Sequence, residues 1–593
     1  MAWYIFLFTS LAIFIMTVSS FLFSRLARRN KLTSSLKILF AGFFFTVLAL
    51  VLPIYYRETG DTENFFWHVM KTVALSFNKS VKAFAVTDLS FETGNPGLNE
   101  TLYSFYSGFL STMLFLCPLL SLSYILAFFA KLRSSVEFLL SYNKDLFVFT
   151  ALTEDSLVLA KDIAANHPHA KIVFCEVTPK VRDENSALLN GAEQISAICF
   201  HRDVKSINFN RHGKGKQLCF FNIKKDEQSN TADALLMLSR YKNRDNTGLY
   251  IFSTLNESRL VLANADCGKI KMRRIDKVQT FINRFLYDKG GDLFKNAFVL
   301  QDGTKEISAV IVGLGKCGSE MLKALTWFCQ MDGYRIRIDV FEKSLSAEDH
   351  LRAECPDLFG DKYNGTHIKG DAEYTVCFHS GIDYRSKRFY DEIRVLRHPT
   401  FVFVALGTDS ANIDASIFLR TQFERSGVKP DIYAVLLSNE KKKTVDNIKN
   451  FKGQEYNIHS IGDTDSVFSE KEIVHSEIEA EALRIHMKWG KEEDFWKYEY
   501  NHRASLSTAI HRKAKITCGL LDPEIPPESE EQIEALSLLE HKRWNAYIRS
   551  EGYIFSGSTD PASRNDLGKM HNDLVGFYSL SAAEQSKDHE ISL

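Results

Sequence analysis

Neither sign of charge is in excess. With 72 Lys and Arg against 73 Asp and Glu in 593 residues, the chain lacks the basic footprint that a nucleic-acid partner requires. Cysteine pairs at metal spacing are missing as well. The ten cysteines include no CxxC and none stands beside a His pair, so structural thiols are expected rather than a zinc or redox motif. No basic region precedes the first apolar run, and the nearby charges follow it, which excludes a typical cleaved signal peptide and favours an uncleaved anchor. The acidic, Ser-rich run GDTDSVFSEKEIV from Gly462 lacks EF-hand spacing and reads as a linker with a helix start at Ser469. His367, His379 and His398 form no recognisable dyad and no nucleophile motif is present, so the chain is not expected to be an enzyme.

What is present first is apolar. Three runs, 2-23, 36-56 and 102-130, reach the roughly 20 residues that cross a bilayer as helix. They predict a transmembrane domain over 1-135. Arg25, Arg28, Arg29, Lys31 and Lys37 stand between the first two runs with no acid, while Arg57 to Thr101 holds six acids and four bases. By the positive-inside rule the protein is then a multi-pass inner-membrane protein with its N-terminus outside and a cytoplasmic head.

A short apolar stretch at 64-77, NFFWHVMKTVALSF, has the length of a re-entrant helix. No glycine occurs between Gly60 and Gly94, so a TVGYG-like potassium filter is absent. Lys71, Asn78 and Lys79 on the loop and Ser107 and Ser111 on the third run are the candidate pore residues. The small and hydroxyl residues around Ser107 serve equally for lining a path or packing helix on helix.

The remaining chain is too long for one core. From Leu146 it reads LFVFTALTEDSLVLAKDIAANHPHAKIVFCEV, a buried strand, an amphipathic helix and a second buried strand. Thr150, Ala151 and Leu152 occupy the first turn, where side chains crowd a dinucleotide. This unit, 144-300, is expected to be a structural or dimerising Rossmann fold. The second unit, 301-475, opens with ISAVIVGLGKCGSEMLKALTWFCQ from Ile307 and carries a full GxGxxG as Gly313, Gly315 and Gly318, with Glu342 closing the next strand. Gly313 permits the tight turn, Gly315 lets a phosphate approach backbone, Gly318 lets the helix pack close, and Glu342 accepts from ribose hydroxyls. NAD or another adenine nucleotide is the expected ligand, against the alternative of glycines kept for packing alone.

In the second unit, TFVFVALGTDSANIDASIFLR from Thr400 ends a strand in a small-residue turn followed by Asp409 and Asn412. This pattern resembles the TrkA-N type of Rossmann domain, the regulator-of-potassium-conductance (RCK) module. The resemblance covers residues 144 to 475 as a tandem pair, and it implies a gating ring and adds Asp409 to the cofactor-binding candidates. The C-terminal region, 476-593, carries LSLLEHKRWNAYIRSEGYIFSG from Leu536 and RNDLGKMHNDLVGFYSLSAAEQSKD from Arg564. It resembles the RyR domain, the repeat named from ryanodine receptors, with Tyr553 where Trp commonly follows the glycine and Asn572 in place of a proline. For it, Arg543, Lys569 and His571 are candidate anion partners and Trp544 and Tyr553 stacking surfaces. The alternative makes the aromatics core and pairs Glu540 with Arg543 or Lys569.

The expected fold class is thus an α-helical transmembrane region plus α/β Rossmann-type (RCK-like) tandem domains and a mainly α C-terminal RyR domain. The expected function is a ligand-gated ion channel or membrane-permeabilising effector, gated by a nucleotide-type ligand, with antiphage defence or stress signalling as its setting. The alternative is a membrane-tethered nucleotide- or NAD-sensing scaffold without conductance. Membrane lipid, an ion, a nucleotide-type ligand and a second copy, as homodimer or homotetramer, are the expected partners.

Overall fold

Two sheets of six and seven strands, parallel except for one short antiparallel strand, organise most of the chain. The computed structural model describes residues 3-27, 39, 41-50, 93-177, 186-210, 213, 215-263, 265-360, 373-396, 398-447, 450-525, 527 and 529-592. It divides into two units, Met1–Tyr142 and Asn143–Leu593.

In the first unit, helix α1 (Trp3–Ala27), a helical stretch at 41-50 and helix α2 (Pro96–Leu140) are described. No helix among the described residues is long and apolar enough to cross a membrane. That finding corrects the three-span transmembrane region and the multi-pass inner-membrane placement expected from the apolar runs. An apolar run does not by itself separate a lipid-facing helix from one buried against its neighbours, and here the runs meet each other. Leu7, Phe43, Val47, Leu50, Tyr106, Leu110 and Met113 form one core. Within it the hydroxyls of Ser10, Thr17 and Thr46 are buried and donate to the carbonyls of Phe6, Ile13 and Gly42. Half-buried Ser107 and exposed Ser111 lie away from that core on α2. Lys71, Asn78, Lys79 and the stretch 64-77 lie outside the described residues.

In the second unit, the first sheet holds β1 (Leu146–Phe149), β2 (Lys171–Phe174), β3 (Ile198–Cys199), β4 (Leu218–Asn222), β5 (Thr247–Phe252) and β6 (Lys271–Ile275), in the order β3-β2-β1-β4-β5-β6. The second holds β7 (Phe298–Val299), β8 (Lys305–Val312), β9 (Tyr334–Glu342), β10 (Tyr374–Ser380), β11 (Phe401–Val404), β12 (Asp431–Val435) and, after the β13 (Asn450–Phe451) and β14 (Gln454–Glu455) hairpin, β15 (Ile458–Ile461). Its order is β10-β9-β8-β11-β12-β15, with β7 antiparallel to the start of β8. Both follow the 3-2-1-4-5-6 winding of a Rossmann fold, whose order reverses beside the first strand and leaves a crevice at the strand ends. The central strands LFVF, LCFFN and FVFV are buried at every position, as parallel strands covered on both faces must be.

Helix α3 (Glu154–Asn166) follows β1, α4 (Glu227–Tyr241) follows β4, and α5 (Lys277–Lys295) follows β6. Helix α6 (Lys316–Phe328) follows β8 and α7 (Asp409–Arg425) follows β11. Although α5 leaves the first sheet, its Phe285 packs on Phe401 and Tyr433 of the second. Gly290 allows this crossing, because a Cβ there would lie 2.3 Å from the Phe328 ring. The two sheets therefore share one continuous hydrophobic core.

Beyond the second sheet come α8 (Glu470–Ile473), α9 (Glu477–His486), α10 (Glu499–Thr517), α11 (Glu530–Ser550) and α12 (Ala582–Ser592). Ser469 caps α8, and α11 stops at Gly552, whose φ of +84° favours glycine. This region is tied to the Rossmann units by charge. Arg274 clamps Glu499 with Nε and Nη2, Arg273 pairs with Glu479, and Arg259 pairs with Glu551, which Arg503 of α10 holds from within the region.

Candidate functional site

The crevice of the second sheet is built on the turn between β8 and α6. Gly313 has φ +97°, and a Cβ on it would sit 2.4 Å from the Ala405 carbonyl oxygen. A Cβ on Gly318 would meet the Gly313 carbonyl oxygen at 1.9 Å. These two glycines are required by the turn itself and by the approach of α6 to it. Gly315 differs, since nothing lies within 4 Å of where its Cβ would be. It is the N-cap of α6, and no side chain caps that end. The first-turn N–H groups, which have no partner inside a helix, stand on an open wall together with Lys316.

The cavity there measures about 620 Å³ and is lined by this turn, by Glu342, Lys343 and Ser344 after β9, by Asp383 and Arg385 after β10, and by Gly407 and Asp409 after β11. The Glu342 carboxylate accepts from the Leu314 N–H at 2.5 Å and the Ser344 N–H at 2.7 Å. It braces the glycine turn against the end of β9 and faces the cavity. Asp409 is a clip: its two oxygens accept from the N–H groups of Leu437 and Ser438 at 3.0 and 2.9 Å. Asn412, buried, accepts from Leu406 N–H and donates to the Val435 carbonyl, each at 2.6 Å. Lys316 reaches Asp276 Oδ2 at 3.4 Å, and Lys343 pairs with Asp383 at 3.1 Å. The Arg385 N–H first, and then that pairing, hold the Asp383 carboxyl below its usual range. Sequence reasoning passed over Lys316, Lys343 and Arg385. Lys316 sits inside the fingerprint at a position where any residue fits, and the other two reach the cavity only through strand order.

Chemically the cleft is suited to binding. Burial pushes the Cys317 thiol up to about 11, far from a reactive thiolate. His379, on β10 and not among the cavity-lining residues, is held between Asp339 and Glu392 at 3.0 and 2.6 Å, and the Asp339 bond raises its pKa. His398 stacks on Phe298, and His367 lies outside the described residues.

The first sheet has a larger crevice, about 1030 Å³, with opposite chemistry. Thr153 caps α3 through a reciprocal pair with Ser156, 3.1 and 2.8 Å, and Glu154 and Asp155 fill the first turn. Lys224 is bound to Glu176 and Asp233, and Lys205 to Asp233, at 2.7 to 3.0 Å. An anion there meets a closed helix end, two first-turn acids and two lysines already paired, although Lys225 and Lys277 also line the crevice.

In the C-terminal region Arg543, Trp544 and His571 line one cavity of about 320 Å³ with Arg564 and Lys587. Arg543 is 1% exposed. Its Nε and Nη2 donate to Glu540 Oε1 at 3.0 and 2.8 Å and its Nη1 to Ser507 Oγ at 2.8 Å, so its fork is already engaged. His571 is pushed down to about 3 by burial and is a neutral ring at neutral pH. Trp544 is half-buried, between His541 and His571. Tyr553 is buried against Tyr500, and Lys569 donates to the Glu551 carbonyl at 2.7 Å. The structure thus does not gather the five candidates into one anion site.

No family model matches the chain, so neither the TrkA-N nor the RyR resemblance gains support from that comparison. No curated protein matches it either. Among solved structures, a crystal structure of GsuK bound to ADP aligns over 74% of this chain and 96% of that one, with 12% identity and a TM-score of 0.33. A likeness of that size carries no argument about the ligand here.

Proposed function

We propose that this chain is a nucleotide-responsive regulatory protein whose second Rossmann unit binds an adenine nucleotide, NAD being the form that fits its fingerprint. The observation that carries this reading is the open turn: an uncapped 13-residue helix whose N-cap Gly315 faces empty space above a cavity of about 620 Å³. That volume lies in the range of about 300 to 1,000 Å³ common for small-molecule sites. A pyrophosphate placed there accepts from the first-turn N–H groups and gains from the helix dipole. Glu342 retains acceptor capacity on both oxygens, since an ionised carboxylate offers about four lone-pair positions, and it is placed to take ribose hydroxyls.

We read the cleft as a binding site; among the described residues that line it, no base is paired with a nucleophile. A regulatory consequence follows from Lys316. It contacts Asp276, the N-cap of α5, which continues directly from β6 of the first sheet. A phosphate on the glycine turn competes with Asp276 for that ammonium, so occupancy of the second unit reaches the junction with the first. The ligand shifts this equilibrium only by its difference in affinity for the two arrangements. The proposal requires no pore.

Equilibrium titration of the purified protein with NAD, ADP and ATP tests the reading. Binding of one of them, lost in Gly315→Val with the fold retained, is the expected result. Undiminished binding in Gly315→Val moves the nucleotide to another cavity and refutes the assignment.

A further inference from the structure

Away from every crevice, two imidazoles and one carboxylate meet where α3 of the first Rossmann unit touches the segment leading out of the second. His167 is the C-cap of α3, Glu470 is the first residue of α8, and His475 follows just past the end of that helix. Their ligand atoms all lie within 4.8 Å of one another. His167 Nε2 stands 2.5 Å and His475 Nε2 3.5 Å from the same oxygen, Glu470 Oε1.

The carboxylate is fixed and buried while the rings are accessible. The Glu470 side chain is 3% exposed, against 38% for His167 and 63% for His475. Asn166 Nδ2 donates to its other oxygen at 2.9 Å, and its backbone N–H is held by Asp162 Oδ2 at 2.7 Å. Among the described residues no Lys or Arg pairs with Glu470; its ion-pair partners are the two histidines. A buried carboxylate whose only ion-pair partners are imidazoles favours a positive charge beside it, because an uncompensated anion is costly to desolvate.

We propose that His167, Glu470 and His475 form a divalent transition-metal site, with Zn²⁺ the ion its ligand set fits. Two imidazole nitrogens and one carboxylate oxygen leave a fourth tetrahedral position for water, and two imidazoles select against Mg²⁺ and Ca²⁺. Zinc bonds of about 2.0 to 2.2 Å place tetrahedral ligand atoms about 3.4 Å apart, the separation already present between His475 and Glu470. The shorter His167 contact is a hydrogen bond. Zinc replaces it when the accessible His167 ring moves outward by about 1 Å and carries its proton on Nδ1, leaving the Nε2 lone pair for the ion. Asn166 on the second carboxylate oxygen is the kind of outer partner that orients a ligating group. The bound ion bolts the α8 segment to α3 between residues 303 positions apart.

The test is calorimetric titration of the EDTA-stripped full-length protein with ZnCl₂ alone, followed by Co²⁺ absorption. One equivalent per chain is expected, with a tetrahedral Co²⁺ band of nitrogen and oxygen character. His475→Ala and Glu470→Gln should each weaken binding by more than the roughly 10- to 100-fold loss expected for Asn166→Ala. His475 is exposed, so its variant keeps the fold, which circular dichroism checks. Failure of the stripped protein to bind Zn²⁺ overturns the proposal. So does unchanged affinity in His475→Ala with a thiolate charge-transfer band, which would place the ion on the cysteines.

Discussion

The two Rossmann units solve the same folding problem and differ at the one place that matters for a ligand. Both wind in the same strand order, and both use an acid and an Asn three residues apart to lock neighbouring loops. In the second unit Asp409 and Asn412 do this. In the first, Glu227 accepts from the Thr254 N–H at 2.6 Å, and Asn230 accepts from the Lys224 N–H and donates to the Lys224 and Phe252 carbonyls. The clip belongs to the scaffold. The first helix of each unit diverges: α3 closes its own end with Thr153 and Ser156 and adds two acids, while α6 leaves its end open behind Gly315. A shared fold therefore need not carry a shared ligand, and the cap together with the first-turn acids sets how each helix end meets an anion.

The largest expected effect sharpens that difference. Gly315→Val fills open space with no backbone strain and should weaken adenine-nucleotide binding by on the order of 100-fold, the factor that a forced displacement of a few kcal/mol produces. Calorimetry reads this, and thermal melting should show an unchanged fold. Next, the clips should prove equivalent. Asn412→Ala and Asn230→Ala each strand buried backbone groups and should each cost about 3 kcal/mol, measured as a drop in urea midpoint at constant slope. A cost in only one unit would break the equivalence.

A third effect lies outside both units. His511, donating to the Gln330 carbonyl, and His571 are pushed down to about 3 by burial. A histidine with a folded pKa below its unfolded value of about 6.5 binds fewer protons when folded, so stability is complete above pH 6.5 and falls as pH drops toward 3. Each contributes up to about 1.4 kcal/mol per pH unit in that window. His511→Gln should flatten the denaturation profile between pH 6.5 and 5, above the ordinary carboxylate range. An unaltered slope would remove that histidine from the acid response. The smallest effect is Thr153→Ala, which should lower stability by about 1 kcal/mol through loss of the α3 cap. It should confer no nucleotide binding, because Glu154 and Asp155 remain; acquired binding would mean that the cap alone separates the two units.

Much of this contrast was legible in the sequence because it rests on local pattern. The strand, turn and helix around Gly313 to Gly318 and the missing glycines at Thr150 to Leu152 are short-range features, and the chain turns where they require. Roles that depend on distant partners were not legible. The clip that Asp409 makes was one of them, because its partners, Leu437 and Ser438, come from the following strand's end. The pairing of Arg543 with Glu540 was one of the two readings the sequence offered, but Ser507, 36 residues away, which completes the closure of its fork, was not. Glu470 and His167, 303 residues apart, offered no spacing to read. The apolar runs of the first unit misled for a related reason: hydrophobicity alone does not say which partner a run packs against, and only part of each run joins the core they share.

The central claim is that nucleotide enters the second unit and not the first. Hydrogen exchange of the intact protein with and without saturating NAD tests it most directly, comparing the turns at 313-318 and 150-156 in one experiment. The account predicts slowed exchange across 313-318, faster exchange at the start of α5 as Lys316 leaves Asp276, and 150-156 unchanged. Protection at 150-156, or in the C-terminal cavity around Trp544, without protection at 313-318 would contradict it.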